Sequence, residues 1–346
     1  MSFIPYSNSF RKIKLKDPIH PFKIIKIIFY LIIALIVIGF IYKVVDTKIT
    51  DAKIKEKGKY LRIGGKKFTY DVYGSGDYTV IFDGDAGLSM AQWRNVVSGL
   101  NDGFDGNIFV YDREGYGFND GSSKKTIEEQ AKDLRMILKK AAVSGPYILV
   151  GEGYGSLVMT NFAKEYSQSI AGMVLINPIN EKSLSDKNVI NVYNKLILKE
   201  RLLYGGSYIG ITDVLNKFGL LKDNKNFIDE LNSYDKEAFS YHRLCKNYNG
   251  AYLNELKNLI SVKDTSQEEG LINDRPLALL LDESKDVNMQ KELSKLSKSP
   301  LVDEKSVNSN GKILSQSNSE TIVNQIKAVA KRYKQIKKAE QQNNKQ

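Results

Sequence analysis

The chain has 346 residues, 42% hydrophobic and 26% charged, which suits one large α/β core with an insertion and excludes a chain disordered throughout. Its formal charge of +11 rests on 51 basic residues, of which nine are arginine, the side chain that reads phosphates and guanine edges bidentately. With much of that excess confined to residues 11–59 and 327–345, a nucleic-acid partner is excluded. The single cysteine, Cys245, excludes an intrachain disulfide, a cysteine zinc site and a Cys-x-x-Cys redox pair.

After a basic tail over residues 1–23, residues 27–42 form an unbroken charge-free run. The apolar stretch extends over 24–45 around Lys26 and Lys43, whose stems can snorkel. Its length of about 30 Å matches the hydrocarbon thickness, so it reads as a transmembrane helix with the lipid bilayer as its partner. No small-x-small cleavage site follows Tyr42, which argues against a cleaved signal peptide. Lysines balance across the span, but Asp46, Asp51 and Glu56 interrupt those that follow it. With a short N-terminal side, this favours N-in, C-out and an extracytoplasmic domain. Residues 46–59 read as a polar stalk.

From residue 60 to 338 the periodicity alternates between strand and helix, the pattern of a mostly parallel sheet with helices on both faces. Residues 61–63 and 68–73 form a hairpin through Gly64-Gly65, and 78–82, 108–111, 147–150 and 173–176 are buried strands. Helices are expected near 90–100, over 126–141 and from the turn at Gly151 to about 166. Alternation stops over residues 181–273, where helical pieces separated by Gly205-Gly206 and polar turns read as an inserted helical lid. It resumes with a strand at 276–281, a helix near 289–296, a strand at 312–315 and a helix over 320–338, before a polar, disordered tail at 339–346.

Residues 147–156, Tyr-Ile-Leu-Val-Gly-Glu-Gly-Tyr-Gly-Ser, read as a buried strand entering a glycine-bracketed turn and a helix. This elbow, Gly151, Glu152, Gly153, Tyr154 and Gly155, has the spacing of Gly-x-Ser-x-Gly with glycine in the central place. Together with Asp83-Gly84-Asp85-Ala86-Gly87 followed by Trp93, the segment Tyr111-Asp112-Arg113-Glu114-Gly115-Tyr116-Gly117, and Asn177-Pro178, the chain resembles the α/β-hydrolase superfamily, in its lidded esterase, lipase and aminopeptidase-like branch. The resemblance implies a Ser, Asp/Glu, His triad hydrolysing esters or amides.

The sequence departs from that pattern at each position that can be placed. Gly153 stands at the nucleophile and relieves the backbone strain a side chain meets there. The histidines are His20 and His242, neither after the last strand, where Asn318-Ser319 aligns. Asp282, Glu283 or Asp286 fills the acid position. The expectation is therefore a catalytically inactive ligand-binding, sensing or protein-interaction module, with no catalytic residues, metal or cofactor. An atypical serine hydrolase using Ser156 is the alternative. The N–H groups of Asp85 and Tyr154 stand where an oxyanion hole forms. The candidate pocket is Asp83, Gly84, Asp85, Glu152 and Ser156. Its carboxylates either select a cationic or hydroxyl-rich ligand or serve their own turns; Asp112-Arg113 reads as a turn-fixing pair and His242 as a lid surface or packing residue.

Overall fold

The computed structural model describes residues 21–343 except 102, 122–123, 223 and 263–265; the N-terminal tail through residue 20, including His20, and residues 344–346 lie outside them. Helix α1 (Pro21–Lys53) is, among the described residues, the helix long and apolar enough to cross a membrane. It continues to Lys53 instead of ending at 45, so most of the expected stalk is helical. Glycine and proline are absent from residues 40–57, and the helix is held from outside. Lys43 Nζ lies 2.9 Å from both carboxylate oxygens of Asp213, and Ile54 is buried.

Eight strands follow: β1 (Lys59–Ile63), β2 (Lys66–Ser75), β3 (Thr79–Asp83), β4 (Gly106–Tyr111), β5 (Tyr147–Glu152), β6 (Ile170–Ile176), β7 (Leu277–Asp282) and β8 (Asp303–Val307). They form one sheet in the order β1-β2-β4-β3-β5-β6-β7-β8. The β1–β2 and β2–β4 pairs are antiparallel and the others parallel. The hairpin turns on Gly64 and Gly65, at φ +56° and +82°, the left-handed conformations a two-residue turn requires.

The central strands are apolar on both faces, as helices covering both sides require. Ile81, Leu149, Leu175 and Leu279 face one core, while Val80, Phe82, Ile148, Val150, Val174 and Ile176 face the other. The second core is closed by α2 (Arg94–Asn101) and by the long C-terminal helix. The first is closed by α3 (Ile127–Lys140) and α4 (Tyr154–Glu165). Thr126 starts α3 with a reciprocal capping box, accepting from Glu129 N at 3.2 Å while its own N–H donates to the Glu129 carboxylate at 2.8 Å.

Between β6 and β7 the chain forms a helical insertion: α5 (Lys187–Ser207), α6 (Ile211–Lys217), α7 (Lys225–Asp229), α8 (Ser233–His242) and α9 (Lys246–Ser261). Gly205-Gly206 lies inside α5 and does not break it, because the turn comes at Gly210, φ +76°. After β7 come α10 (Val287–Lys291), α11 (Leu314–Ser317) and α12 (Ser319–Asn343).

Two further expectations fail. The last strand is 303–307, not 312–315: β8 pairs only with β7, and its Asp-Glu-Lys-Ser-Val sequence has the charge of an edge strand rather than an apolar run. The tail is helical to Asn343, since residues 319–343 contain no Gly or Pro and Arg275 pairs with Glu340 at 3.1 Å.

Phe162 is fully buried, its ring 5.9 Å from that of Tyr147. Phe162→Ala is expected to lower stability by about 3–5 kcal/mol, read as a fall in the urea midpoint of the full chain in detergent.

Candidate functional site

The elbow lies where β5 passes into α4. Gly151 and Gly155 are there for closeness: a Cβ on Gly151 would come within 2.8 Å of the Gly155 carbonyl oxygen, and one on Gly155 would overlap the backbone of Asp83. Gly153 adopts φ +53°, ψ −117°, a conformation costly to any residue with a side chain. Glycine thus holds, without strain, a turn that would strain a residue bearing a nucleophile.

The space above Gly153 is filled. A Cβ built there would fall within the carboxylate of Asp85. That carboxylate accepts from Tyr154 N at 2.8 Å and from Ala86 N at 2.7 Å. It thus supplies the acceptor at the α4 N-terminus that glycine cannot, where the helix dipole favours negative charge. The Asp85 N–H donates to Gln92 Oε1 at 3.1 Å. Both N–H groups expected to form an oxyanion hole are therefore occupied by the protein's own side chains. Tyr193, on α5, is close by: burial, reinforced by the Asp85 carboxylate, pushes its hydroxyl up to about 12.

The remaining acids of the candidate pocket are bonded to the protein's own groups. Asp83 pairs with Arg113 and accepts from Tyr111 OH at 2.7 Å. Arg113, itself buried, also donates to Glu255 at 2.7 Å and to the carbonyls of Gly84 at 2.7 Å and Asp85 at 3.1 Å. Tyr116 OH donates to Glu255 at 2.5 Å and accepts from Gly87 N at 3.0 Å. Arg113 does fix the turn, as expected, but through Asp83 and Glu255 and not through Asp112, which accepts from Met90 N at 2.7 Å. Glu255 lies on α9, far away in sequence, and no local pattern marks it.

Glu152, at the C-terminal end of the central strand β5, reaches the start of α11. It accepts from Leu314 N at 2.8 Å, Ser315 N at 3.3 Å and Gln92 Nε2 at 3.0 Å. Burial pushes its carboxyl up to about 7; hydrogen bonds from Ser315 and Leu314 oppose this and the Asp85 charge adds to it. Gln92, absent from the expected site, thereby links Asp85 to Glu152.

Ser156 is fully buried; its hydroxyl donates to Gly153 O at 2.6 Å and accepts from Ile179 N at 3.1 Å, the role of a first-turn helix serine. Asp282 accepts from Ser284 N at 3.0 Å and Ser309 N at 3.2 Å. Burial would raise its carboxyl, but these bonds hold it below the usual range. Glu283 is exposed, and Asp286 caps α10 through Asn288 N at 3.0 Å. The loop after the last strand is residues 308–313, not Asn318-Ser319, and contains no histidine. His242 packs edge-on against Phe118 at 4.5 Å, and burial, aided by Lys67, lowers its pKa to about 4. Among the described residues, no group of three His, Cys, Asp or Glu side chains is placed to hold a metal ion.

An open cleft of about 550 Å³ lies away from the elbow. Phe40 and Val44 of α1 line it, with Tyr208 and His242 of the insertion and the loop 115–120. Cys245, half-buried, borders it too.

The structure superposes on the Cif epoxide hydrolase from Acinetobacter nosocomialis with a TM-score of 0.58 at 14% identity, covering 78% of this chain and 90% of that one. Residues 80–198 match the alpha/beta hydrolase fold family. The chain has the α/β-hydrolase fold. Two uncharacterized Bacillus subtilis proteins share part of this hydrolase-fold sequence. YqjL is 36% identical over 106 residues, covering 30% of this chain and 41% of that protein. YbdG is 27% identical over 162 residues, covering 45% and 49%. The chain spans about half or less of the length of these curated relatives.

Gly153→Ser is expected to destabilise the fold by about 1–3 kcal/mol through backbone strain alone, with further loss from collision with Asp85. Adding Asp85→Ala removes the collision, so the double variant should melt above Gly153→Ser. Glu152 gives a signed pH dependence. Its raised pKa means that the folded chain keeps a proton which the unfolded chain releases from about 4.5 upward. Its contribution to stability is full below that pH, falls as pH rises to about 7, and is level above. Glu152→Gln should flatten this decline relative to wild type in denaturation midpoints measured across that window.

Proposed function

We propose that this protein is a membrane-anchored hydrolase-fold module that acts by binding and not by hydrolysis. The observation that carries the reading is the Asp85 carboxylate, which lies where a nucleophile's side chain would stand and takes up Tyr154 N–H. An acyl group bound there would meet a fixed negative charge where its oxyanion must develop. No histidine follows the last strand to activate an attacking group. The filled elbow favours a protein-interaction module over a sensor that uses the old pocket. A ligand-sensing variant of the reading draws on the cleft of about 550 Å³ beside α1, a volume suited to a small molecule.

The anchoring part rests on α1, with its apolar side chains exposed along residues 24–45 and its length sufficient to span. The N-in, C-out orientation belongs to the same proposal. The insertion α5–α9 is read as the lid of the fold.

The full chain in detergent is expected to show no labelling by a fluorophosphonate probe and no turnover of p-nitrophenyl esters or aminoacyl anilides above buffer. Labelling that disappears in Ser156→Ala would overturn the binding-only reading in favour of an atypical hydrolase. Membranes washed with alkaline carbonate should retain the chain; its release would remove the anchor.

A further inference from the structure

We infer that the α6 corner of the insertion is itself a membrane-contact surface, whose apolar face enters the boundary between lipid headgroups and acyl chains beside α1. This inference rests on the reading of α1 as a membrane anchor and adds that the domain does not hang clear of the bilayer.

The first observation is where α1 meets the insertion. Gly39 packs so closely on Ile209 that a Cβ would overlap the Ile209 carbonyl. One turn on, Tyr42 lies against Gly210, where an added Cβ would be 3.2 Å from its ring. Lys43 then pairs with Asp213 at 2.9 Å. These contacts lie within the apolar stretch, not beyond it. At 1.5 Å per residue Gly39 is about 9 Å inside the end of that stretch at Val45. If α1 spans the hydrocarbon over residues 24–45, Ile209 and the start of α6 must share its last few ångströms.

The second observation is what α6 and its continuation expose at that level. Ile211, Val214 and Phe218 recur at i, i+3 and i+7, on one helical face, and are 44%, 55% and 74% exposed; Leu220 follows at 66%. In water this is an unfavourable surface, and nothing among the described residues covers it. Interfacial helices bury such a face about 5–10 Å into the headgroup and acyl boundary, the depth that the α1 contacts dictate. The charge pattern agrees. Asp213, the acid of α6, is turned into the ion pair with Lys43, and their side chains are only 15% and 8% exposed. Lys217 and Lys222 are exposed, with stems long enough to carry their ammonium groups to the headgroups.

The test uses the full chain in phosphatidylcholine/phosphatidylglycerol vesicles, with Cys245→Ser and one introduced cysteine carrying an environment-sensitive NBD fluorophore. Phe218→Cys reports on the α6 corner, and Asp77→Cys, just before the N-terminal end of β3, reports on the opposite end of the sheet. Both positions are exposed, so labelling leaves packing intact, and an unchanged circular dichroism spectrum checks this. The expected result is a blue-shifted emission at 218 that lipids spin-labelled high on the acyl chain quench, with neither effect at 77. Water-like emission at 218 in a chain that resists carbonate extraction overturns the inference and leaves the anchor standing. A blue shift that spin-labelled lipid does not quench also overturns it, since the face is then covered by protein, a second copy included. Release of the chain by carbonate overturns the anchoring reading beneath it.

Discussion

A carboxylate seated on the first turn of α4 organises the centre of this molecule. The sharp passage from β5 into α4 needs glycine at three alternate positions, two for close packing and one for a backbone angle that side chains avoid. That leaves the helix N-terminus without a capping side chain of its own. Asp85, reaching over from the loop after β3, supplies the acceptor at 2.8 Å from Tyr154 N. Because Gln92 holds the Asp85 N–H and also donates to Glu152, the elbow, the β3 loop and the start of α11 are one connected polar unit.

Around this unit lies a second, charged one. Arg113 is buried between Asp83 and Glu255 and also holds the carbonyls of Gly84 and Asp85. Such an ion cluster gains little net stability over well-packed apolar side chains, because each charge loses its hydration. Its effect here is geometric: it fixes the β3 loop against α9, and so holds the insertion on the sheet at the place where the Asp85 carboxylate must be aimed.

Much of this was legible in the sequence, and the limits have physical reasons. The strands β3, β5, β6 and β7 are apolar on both faces and announce themselves. The bracketing role of Gly151 and Gly155 followed from spacing alone, as did the lack of a nucleophile at 153. β8 was misplaced because an edge strand need not be apolar, and the end of α1 because external contacts, not composition, extend it. The fate of the acids was the larger loss. Asp83, Asp85 and Glu152 were visible as a cluster of charge, but their partners Arg113, Gln92 and the backbone N–H groups of Tyr154 and Leu314 come from four separate segments. Only the tertiary fold shows that the cluster is already satisfied.

The seat of α1 on the insertion has a mechanical consequence. With Gly39 pressed on Ile209 and Lys43 locked to Asp213, the long helix is not a tether about which the rest can swing. A continuous line of packed contacts then runs from α1 through the α5–α6 corner and α9 to Glu255 and Arg113.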